Sequence, residues 1–108
     1  IQVYEINGPF FFGATDKFLE AINELGYKTK ILIIDMKNVP AMDASALHVF
    51  KRLMKTCIKR KIHVVISGIN EQPFNLFKKA ELFDILGGEN NFFDTVDDAI
   101  EFAINDLN

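Results

Sequence analysis

The sequence has no tryptophan, a single cysteine and three prolines, and no basic residue follows Lys79. A single cysteine cannot form an internal disulfide, which is typical of proteins in a reducing compartment. No apolar run approaches the ~18 residues of a membrane span, and no signal-peptide pattern is present. The net charge of -3 argues against general nucleic-acid binding, so no nucleic-acid partner is expected.

The length of the chain predicts a single domain over residues 1–108. A chain of this size buries roughly two-thirds of its unfolded surface, so it can form a core without disulfides or a metal. With 11 phenylalanines, that core is expected to be rich in aromatic rings. Because the sequence starts at Ile1, directly in a predicted strand, we expect it to be a piece of a longer protein.

The central stretch runs from Ile31 to Leu47 and organises the prediction for the rest of the chain. Residues 31–34 are apolar and mostly β-branched, which indicates a strand buried on both faces and ending at Asp35. A polar loop containing Pro40 follows. Asp43 is then placed to cap a helix over residues 44–60. In open α/β sheets, ligands and partners usually bind at such a junction between strand and helix.

The other segments complete an alternating pattern. Residues 1–6 alternate apolar and polar side chains, and after a turn at 7–9 the run 10–12 is predicted to form the second strand of a β-hairpin. Further elements are predicted as helices over 15–25, from Asn70 and after Thr95, and as strands over 62–67 and 92–93. The order β-β-α-β-α-β-α-β-α predicts an α/β domain with a mixed four- to five-stranded sheet and packed helices.

The predicted helix over 44–60 has one apolar side and one polar side. Its helical period places Ser45 beside His48 and Arg52 on the outward side, with Val49 as a neighbouring apolar contact. We therefore predict a protein-interaction surface formed by Asp43, Ser45, His48, Val49 and Arg52.

Residues typical of catalysis or metal binding are sparse. There is no glycine-rich phosphate loop and no nucleophile elbow, Cys57 falls on the apolar side of its helix, and the two histidines lack partners at ligand spacing. No metal site and no cofactor are predicted. Asp35 and Asp43 leave one enzymatic alternative, a small metal-dependent phosphoryl-transfer enzyme. The favoured interpretation is that Asp35 hydrogen-bonds the loop and Asp43 caps the helix.

Basic residues cluster in the second half of the predicted helix over 44–60, where Arg52, Lys55 and Lys59 form a basic patch. One interpretation is a solvated surface whose cations favour the helix C-terminus. The other is a weak contact with anionic lipid or with an acidic partner. The two interpretations are compatible.

Three stretches together resemble a STAS domain: VYEINGPFFFGATDKF, IIDMKNVPAMDASAL and ENNFFDTVDDAIEFA. More narrowly, they are similar to the cytoplasmic C-terminal STAS domain of SulP-family anion transporters. The resemblance implies an α/β fold and a non-catalytic regulatory and protein-interaction role in a sulfate-type transporter. It places the domain on the cytoplasmic side of the inner (plasma) membrane. The implied partners are the membrane domain of the same transporter and a cytosolic regulatory protein.

The central motif alone also fits the bacterial anti-sigma-factor antagonists, in which a serine within Asp-Ser-Ser-Gly-Leu is phosphorylated. Ser45 occupies the matching position, while Ala44 and Ala46 replace the first serine and the glycine of that motif. The resemblance therefore makes Ser45 a candidate regulatory phosphosite. It leaves a free-standing antagonist switched by phosphorylation of Ser45 as the alternative function.

Overall fold

A computed structural model describes residues 1–107 of the chain, so that Asn108, the last residue of the predicted domain, lies outside the described part. The strands are β1 (Gln2–Asn7), β2 (Ile31–Asn38), β3 (His63–Ser67) and β4 (Phe92–Phe93). The helices are α1 (Thr15–Asn23), α2 (Ala44–Lys59), α3 (Glu71–Lys79), α4 (Leu82–Ile85) and α5 (Val96–Leu107). The predicted α/β class is confirmed, with four strands in the sheet.

The sheet has the order β1-β2-β3-β4, and all three pairings between neighbouring strands are parallel. Val3 and Val65 flank Ile33 in the pairing register. Because the strand order follows the chain and parallel crossovers are right-handed, α1, α2 and α3 all lie on one face of the sheet. Within residues 1–107 the strand order never reverses, so the described sheet lacks the crevice that a reversal creates in doubly wound folds.

An aromatic cluster fills the space between the sheet and the first three helices. The rings of Phe18 and Phe50 stack with centroids 5.1 Å apart, and Phe77 lies 5.2 Å from Phe50. Phe10 meets the rings of both Phe18 and Phe50 edge-on. Leu32 of the central strand lies fully buried in the same cluster. The expected phenylalanine-rich core is therefore present, and it anchors α2 to the sheet.

The other face of the sheet is covered by α5. Ala99 and Ala103, both fully buried, pack against Ile33 and Val65, and their small side chains allow the helix to lie close to the strands. Thr95 caps α5 as predicted, because its Oγ1 accepts a hydrogen bond of 3.1 Å from the backbone N–H of Asp98.

The predicted hairpin at residues 10–12 is wrong, and the sheet is parallel instead of mixed. Phe10 forms an isolated parallel bridge with Met42, and a 3-10 turn follows over Phe12–Ala14. The backbone N–H groups of Gly8 and Phe10 donate to the carbonyls of Asn38 and Ala41, each at 2.9 Å. These bonds carry the segment alongside the loop after β2, so the chain does not turn back onto β1.

The second strand also ends later than Asp35, where the sequence pattern ended it. It continues to Asn38 because distant polar groups meet its last residues. The Asn70 side-chain amide donates to the carbonyls of Lys37 and Val39, at 3.1 and 2.8 Å. Gly68 lies so close to this strand end that an added Cβ would meet Lys37 Cβ at 2.8 Å, at a φ of +65°. A glycine is therefore required there.

Within residues 1–107, no helix has both the length and the apolar character needed to cross a bilayer.

Candidate interaction site at the start of α2

Asp43 joins the start of α2 to the segment that follows β1. Its Oδ1 accepts a hydrogen bond of 2.8 Å from the backbone N–H of Ala46, which is the geometry of an N-cap. Its Oδ2 accepts one of 3.3 Å from the backbone N–H of Phe12. One carboxylate therefore satisfies two backbone donors from separate segments, and it fixes the two segments relative to each other.

The predicted interaction residues lie along the outward side of α2. Ser45 is exposed in the first turn, and His48 and Arg52 are exposed one and two turns later. Asp43 and Val49 are half-buried beside them. We refer to Asp43, Ser45, His48, Val49 and Arg52 as the α2 surface.

Two aromatic side chains next to the start of α2 are exposed, which the sequence pattern did not predict. Phe11 is 46% exposed and Phe12 is 62% exposed, although a strand over residues 10–12 would have placed their side chains on opposite faces of a sheet covered by helices. The hydrogen bond from Phe12 to Asp43 places this pair beside the first turn of α2. Both side chains are exposed because a 3-10 turn stands where the second strand of a hairpin was predicted. In such a turn, neighbouring side chains do not alternate between two covered faces.

The cations of α2 divide into two groups. Lys51 Nζ donates at 2.7 Å to the carbonyl of Ala80 after α3, and Arg60 donates at 2.6 Å to the carbonyl of Leu25 after α1. These two side chains hold the ends of neighbouring helices. Arg52, Lys55 and Lys59 are exposed. Arg60 is exposed as well, so the predicted basic patch consists of the exposed cations of the cluster that do not hold the end of a neighbouring helix within residues 1–107.

The two aspartates of the enzymatic alternative have separate structural roles. Asp35 is buried, and its Oδ1 accepts hydrogen bonds from Ser67 Oγ at 3.2 Å and from the backbone N–H of Lys37 at 3.3 Å. The carboxylate of Asp43 caps α2 and accepts hydrogen bonds from two backbone N–H groups. Within residues 1–107, no group of three or more histidine, cysteine, aspartate or glutamate side chains is arranged to hold a metal ion.

Cys57 is fully buried on the core side of α2. Burial raises the pKa of its thiol above the ordinary value because an apolar environment disfavours the thiolate, while the nearby positive charge of Arg60 acts in the opposite direction. Since the thiolate is the reactive form, this cysteine is protected from thiol reagents as long as the domain is folded.

A groove of about 650 Å³ runs beside α3 and is lined by Pro40, Asn70, Glu71, Gln72 and residues further along the helix. Gln72 holds the loop before α2, because its side-chain amide accepts from the backbone N–H of Met42 at 2.9 Å and donates to the Met42 carbonyl at 3.1 Å. The loop that leads to Asp43 is therefore fixed from both α3 and the segment after β1.

Comparisons with known proteins agree with this geometry. The family model of the STAS domain matches residues 1–99. The chain therefore belongs to the STAS domain family.

The relatives narrow the branch of the family. A Bacillus subtilis protein named as a sulfate transporter is 34% identical over 99 residues, which are 91% of this chain and 18% of that protein. A sulfate transporter family protein from Wolinella succinogenes has a similar structure, with a TM-score of 0.85 and 31% identity over 94% of this chain and 83% of that chain. The SulP transporter STAS domain from Vibrio cholerae gives a TM-score of 0.83 and 30% identity over 98% and 82% of the two chains. Homologues of this domain are thus parts of SulP transporters, and the chain spans less than a fifth of the length of the Bacillus relative.

Proposed function

We propose that this chain is the non-catalytic regulatory and protein-interaction domain of a SulP-type anion transporter, with sulfate as the transported anion. The observation that carries the proposal is the similarity to domains of sulfate transporters over nearly the whole chain. The partner is the membrane domain of the same transporter, and the domain lies on the cytoplasmic side of the inner (plasma) membrane. A cytosolic regulatory protein is a second partner for the same surface.

The α2 surface is the contact that we assign to these partners. It combines exposed polar side chains with a half-buried valine, and it is flanked by the exposed rings of Phe11 and Phe12. Aromatic and arginine side chains are enriched at protein interfaces. The aromatic cluster behind α2 fixes the helix, so a partner would bind a preformed surface at low entropic cost.

Ser45 is the candidate phosphosite within this surface. It is exposed in the first turn of a 16-residue helix, where backbone N–H groups and the helix dipole favour an added negative charge. Asp43 would oppose that charge. A phosphate at Ser45 would therefore change the binding surface more than the fold.

Site-directed crosslinking in the full-length transporter tests the assignment. Because Cys57 is fully buried, a His48→Cys variant presents an accessible thiol on the α2 surface, in a transporter whose membrane-domain cysteines have been replaced. A thiol-specific photocrosslinker at this position is expected to form an adduct with the membrane domain or with a cytosolic protein. The matched control is Glu101→Cys, at an exposed position in the middle of α5. Equal crosslinking of the two variants, or none from His48→Cys, would contradict the assignment.

A further inference from the structure

Cations from two separate loops meet at one end of the sheet. The loop before β2 carries Lys28 and Lys30, and the end of α2 with the loop before β3 carries Lys59, Arg60 and Lys61. All five side chains are exposed. Since β2 and β3 are adjacent parallel strands, both loops lie at the same edge of the sheet, where the strands begin. We call these five residues, together with Tyr27, the basic edge.

The two loops of the basic edge are held together as one surface. Arg60 donates from Nη2 to the carbonyl of Leu25 at 2.6 Å and from Nη1 to the carbonyl of Ile22 at 3.3 Å. The backbone N–H of His63 donates to the carbonyl of Lys30 at 2.9 Å. Tyr27 projects from this surface with 86% of its area exposed, next to a shallow hollow of about 230 Å³ that Arg60 also lines.

The charge of this edge differs from that of the opposite end of the strands. The acids at this end of the strands are Glu24, Asp106, whose Oδ2 lies 3.4 Å from His63 Nδ1, and, in the connection from α3 to β4, Glu81, Asp84 and Glu89, which accompany Lys78 and Lys79. None of the four lysines of the basic edge pairs with a carboxylate inside the 1–107 range. At the opposite end, where the strands finish, the loops and first helical turns carry Asp16, Asp43, Glu71, Asp94, Asp97 and Asp98 against Lys17 and Lys37. Charge is therefore distributed unevenly along the strand direction: the end where the strands begin is cationic, and the end where they finish is anionic.

We propose that the basic edge docks on the anionic phospholipid headgroups of the membrane, with Tyr27 at the headgroup level. Lysine and arginine clusters are attracted to the negative surface potential of the cytoplasmic leaflet, and tyrosine is enriched at the membrane–water interface. The opposite, acidic end is repelled from the same surface, so the charge distribution orients the domain. Lys59 is common to the basic edge and the predicted basic patch, whereas Arg52 and Lys55 lie further along α2.

This inference rests on the proposed function, which places the domain beside a membrane. The direction of the sheet fits that placement, because β1 begins at the same edge as β2 and β3. A chain that arrives from a preceding membrane domain would thus enter the sheet at the basic edge. Docking through that edge turns the start of α2, at the other end of the strands, away from the lipid, so of the two proposed partners the cytosolic regulatory protein is the one that reaches the α2 surface in this orientation.

Tryptophan substitution gives a direct test with the 108-residue chain. The natural sequence has no tryptophan, so Tyr27→Trp reports from the basic edge and Phe12→Trp reports from the opposite end. With vesicles of 3:1 phosphatidylcholine and phosphatidylglycerol at low salt, Tyr27→Trp emission is expected to shift to the blue, and added salt reverses the shift because it screens the charges. Phe12→Trp emission stays unchanged, and pure phosphatidylcholine vesicles have no effect on either variant.

Charge reversal provides the second measurement, by vesicle sedimentation. Lys28→Glu/Lys59→Glu is expected to lower the partition coefficient on the anionic vesicles at least about tenfold. Lys17→Glu/Lys37→Glu, which changes the net charge equally at the opposite end, is expected to lower it much less. Circular dichroism verifies that each variant is folded, and the tryptophan result stands on its own if a charge variant is not.

Three results would overturn the lipid inference: no binding to anionic vesicles at low salt, equal binding to both vesicle types, or a shift of Phe12→Trp without one of Tyr27→Trp. Basic-edge variants that lose binding to an acidic cytosolic protein, but leave vesicle binding unchanged, would also overturn it. Crosslinking from His48→Cys to the membrane domain or to a cytosolic protein is measured separately from vesicle binding, so a failed lipid inference is distinguishable from a failed proposed function.

Discussion

The two faces of the sheet are covered in different ways. On one face, three helices enclose four buried phenylalanines, and α2 contributes Phe50 at the centre of the cluster. On the other face, α5 covers the strands through two alanines and the half-buried pair Phe93 and Phe102, whose rings are 5.0 Å apart. We call the face covered by three helices the thick face and the face covered by α5 alone the thin face. The thick face fixes α2 and its outward surface, whereas the packing of the thin face depends on the close approach of a single helix. Substitutions on the two faces should therefore lower the free energy of unfolding by different amounts.

The largest effect is expected for Phe50→Ala. Phe50 is fully buried and contacts the rings of Phe10, Phe18 and Phe77. Removing it should lower the free energy of unfolding by about 3–5 kcal/mol, because a cavity remains between the sheet and three helices. Denaturant titration measures this loss. Phe102→Ala on the thin face is the matched control and should cost clearly less, and a loss of under ~1 kcal/mol for Phe50→Ala would refute the comparison.

A smaller loss is expected for Ala103→Leu on the thin face. Ala103 is fully buried against the strands, so extra side-chain volume would push α5 away from the sheet. Overpacking of this kind should cost about 1–3 kcal/mol in the free energy of unfolding. The same measurement on Ile104→Leu, at an exposed neighbouring position, provides the control. If both variants retain the stability of the parent chain, α5 does not pack as closely as described.

Asp43→Ala should have an intermediate effect of about 1 kcal/mol, since it removes the N-cap of α2 together with the acceptor for Phe12. Asp43→Asn keeps a side-chain oxygen that can cap the helix and should recover most of the loss. Thermal unfolding of the parent chain, Asp43→Ala and Asp43→Asn measures these differences in stability. An alanine variant as stable as the parent would mean that the cap does not hold the start of α2.

The smallest effect on stability is expected for Ser45→Ala. The serine is exposed, and surface substitutions away from caps and buried contacts usually change stability by less than about 0.5 kcal/mol. A large loss of stability in the same thermal experiment would show that the Ser45 side chain is buried, which would contradict its assignment to the exposed α2 surface.

Local features of the fold were predictable from the sequence, and contacts between distant segments were not. The start of α2 at Asp43 and the cap at Thr95 were predicted because the residues that define them lie within one helical turn. The bridge between Phe10 and Met42 was missed because it joins segments about thirty residues apart. Asp35 was read as the end of its strand, since a carboxylate in an apolar run normally ends burial; here Ser67, from the neighbouring strand, satisfies it.

The candidate site shows the same limit. The α2 surface follows from one helical period, so its members were predicted together. Phe11 and Phe12 were missed because the hairpin prediction required them to be covered. The basic edge was also missed, because Lys28 and Lys61 belong to loops that only the parallel pairing of β2 and β3 brings to one edge.

Sulfate uptake by the proposed full-length transporter tests most directly whether the α2 surface regulates transport. The variants to compare are Ser45→Asp, which adds a negative charge to that surface, and Asn75→Asp, which adds one at an exposed position on α3. With equal amounts of each protein in the membrane, we expect uptake to change severalfold for Ser45→Asp and to match that of the parent protein for Asn75→Asp. Unchanged uptake for Ser45→Asp, or the same change for both variants, would contradict the account.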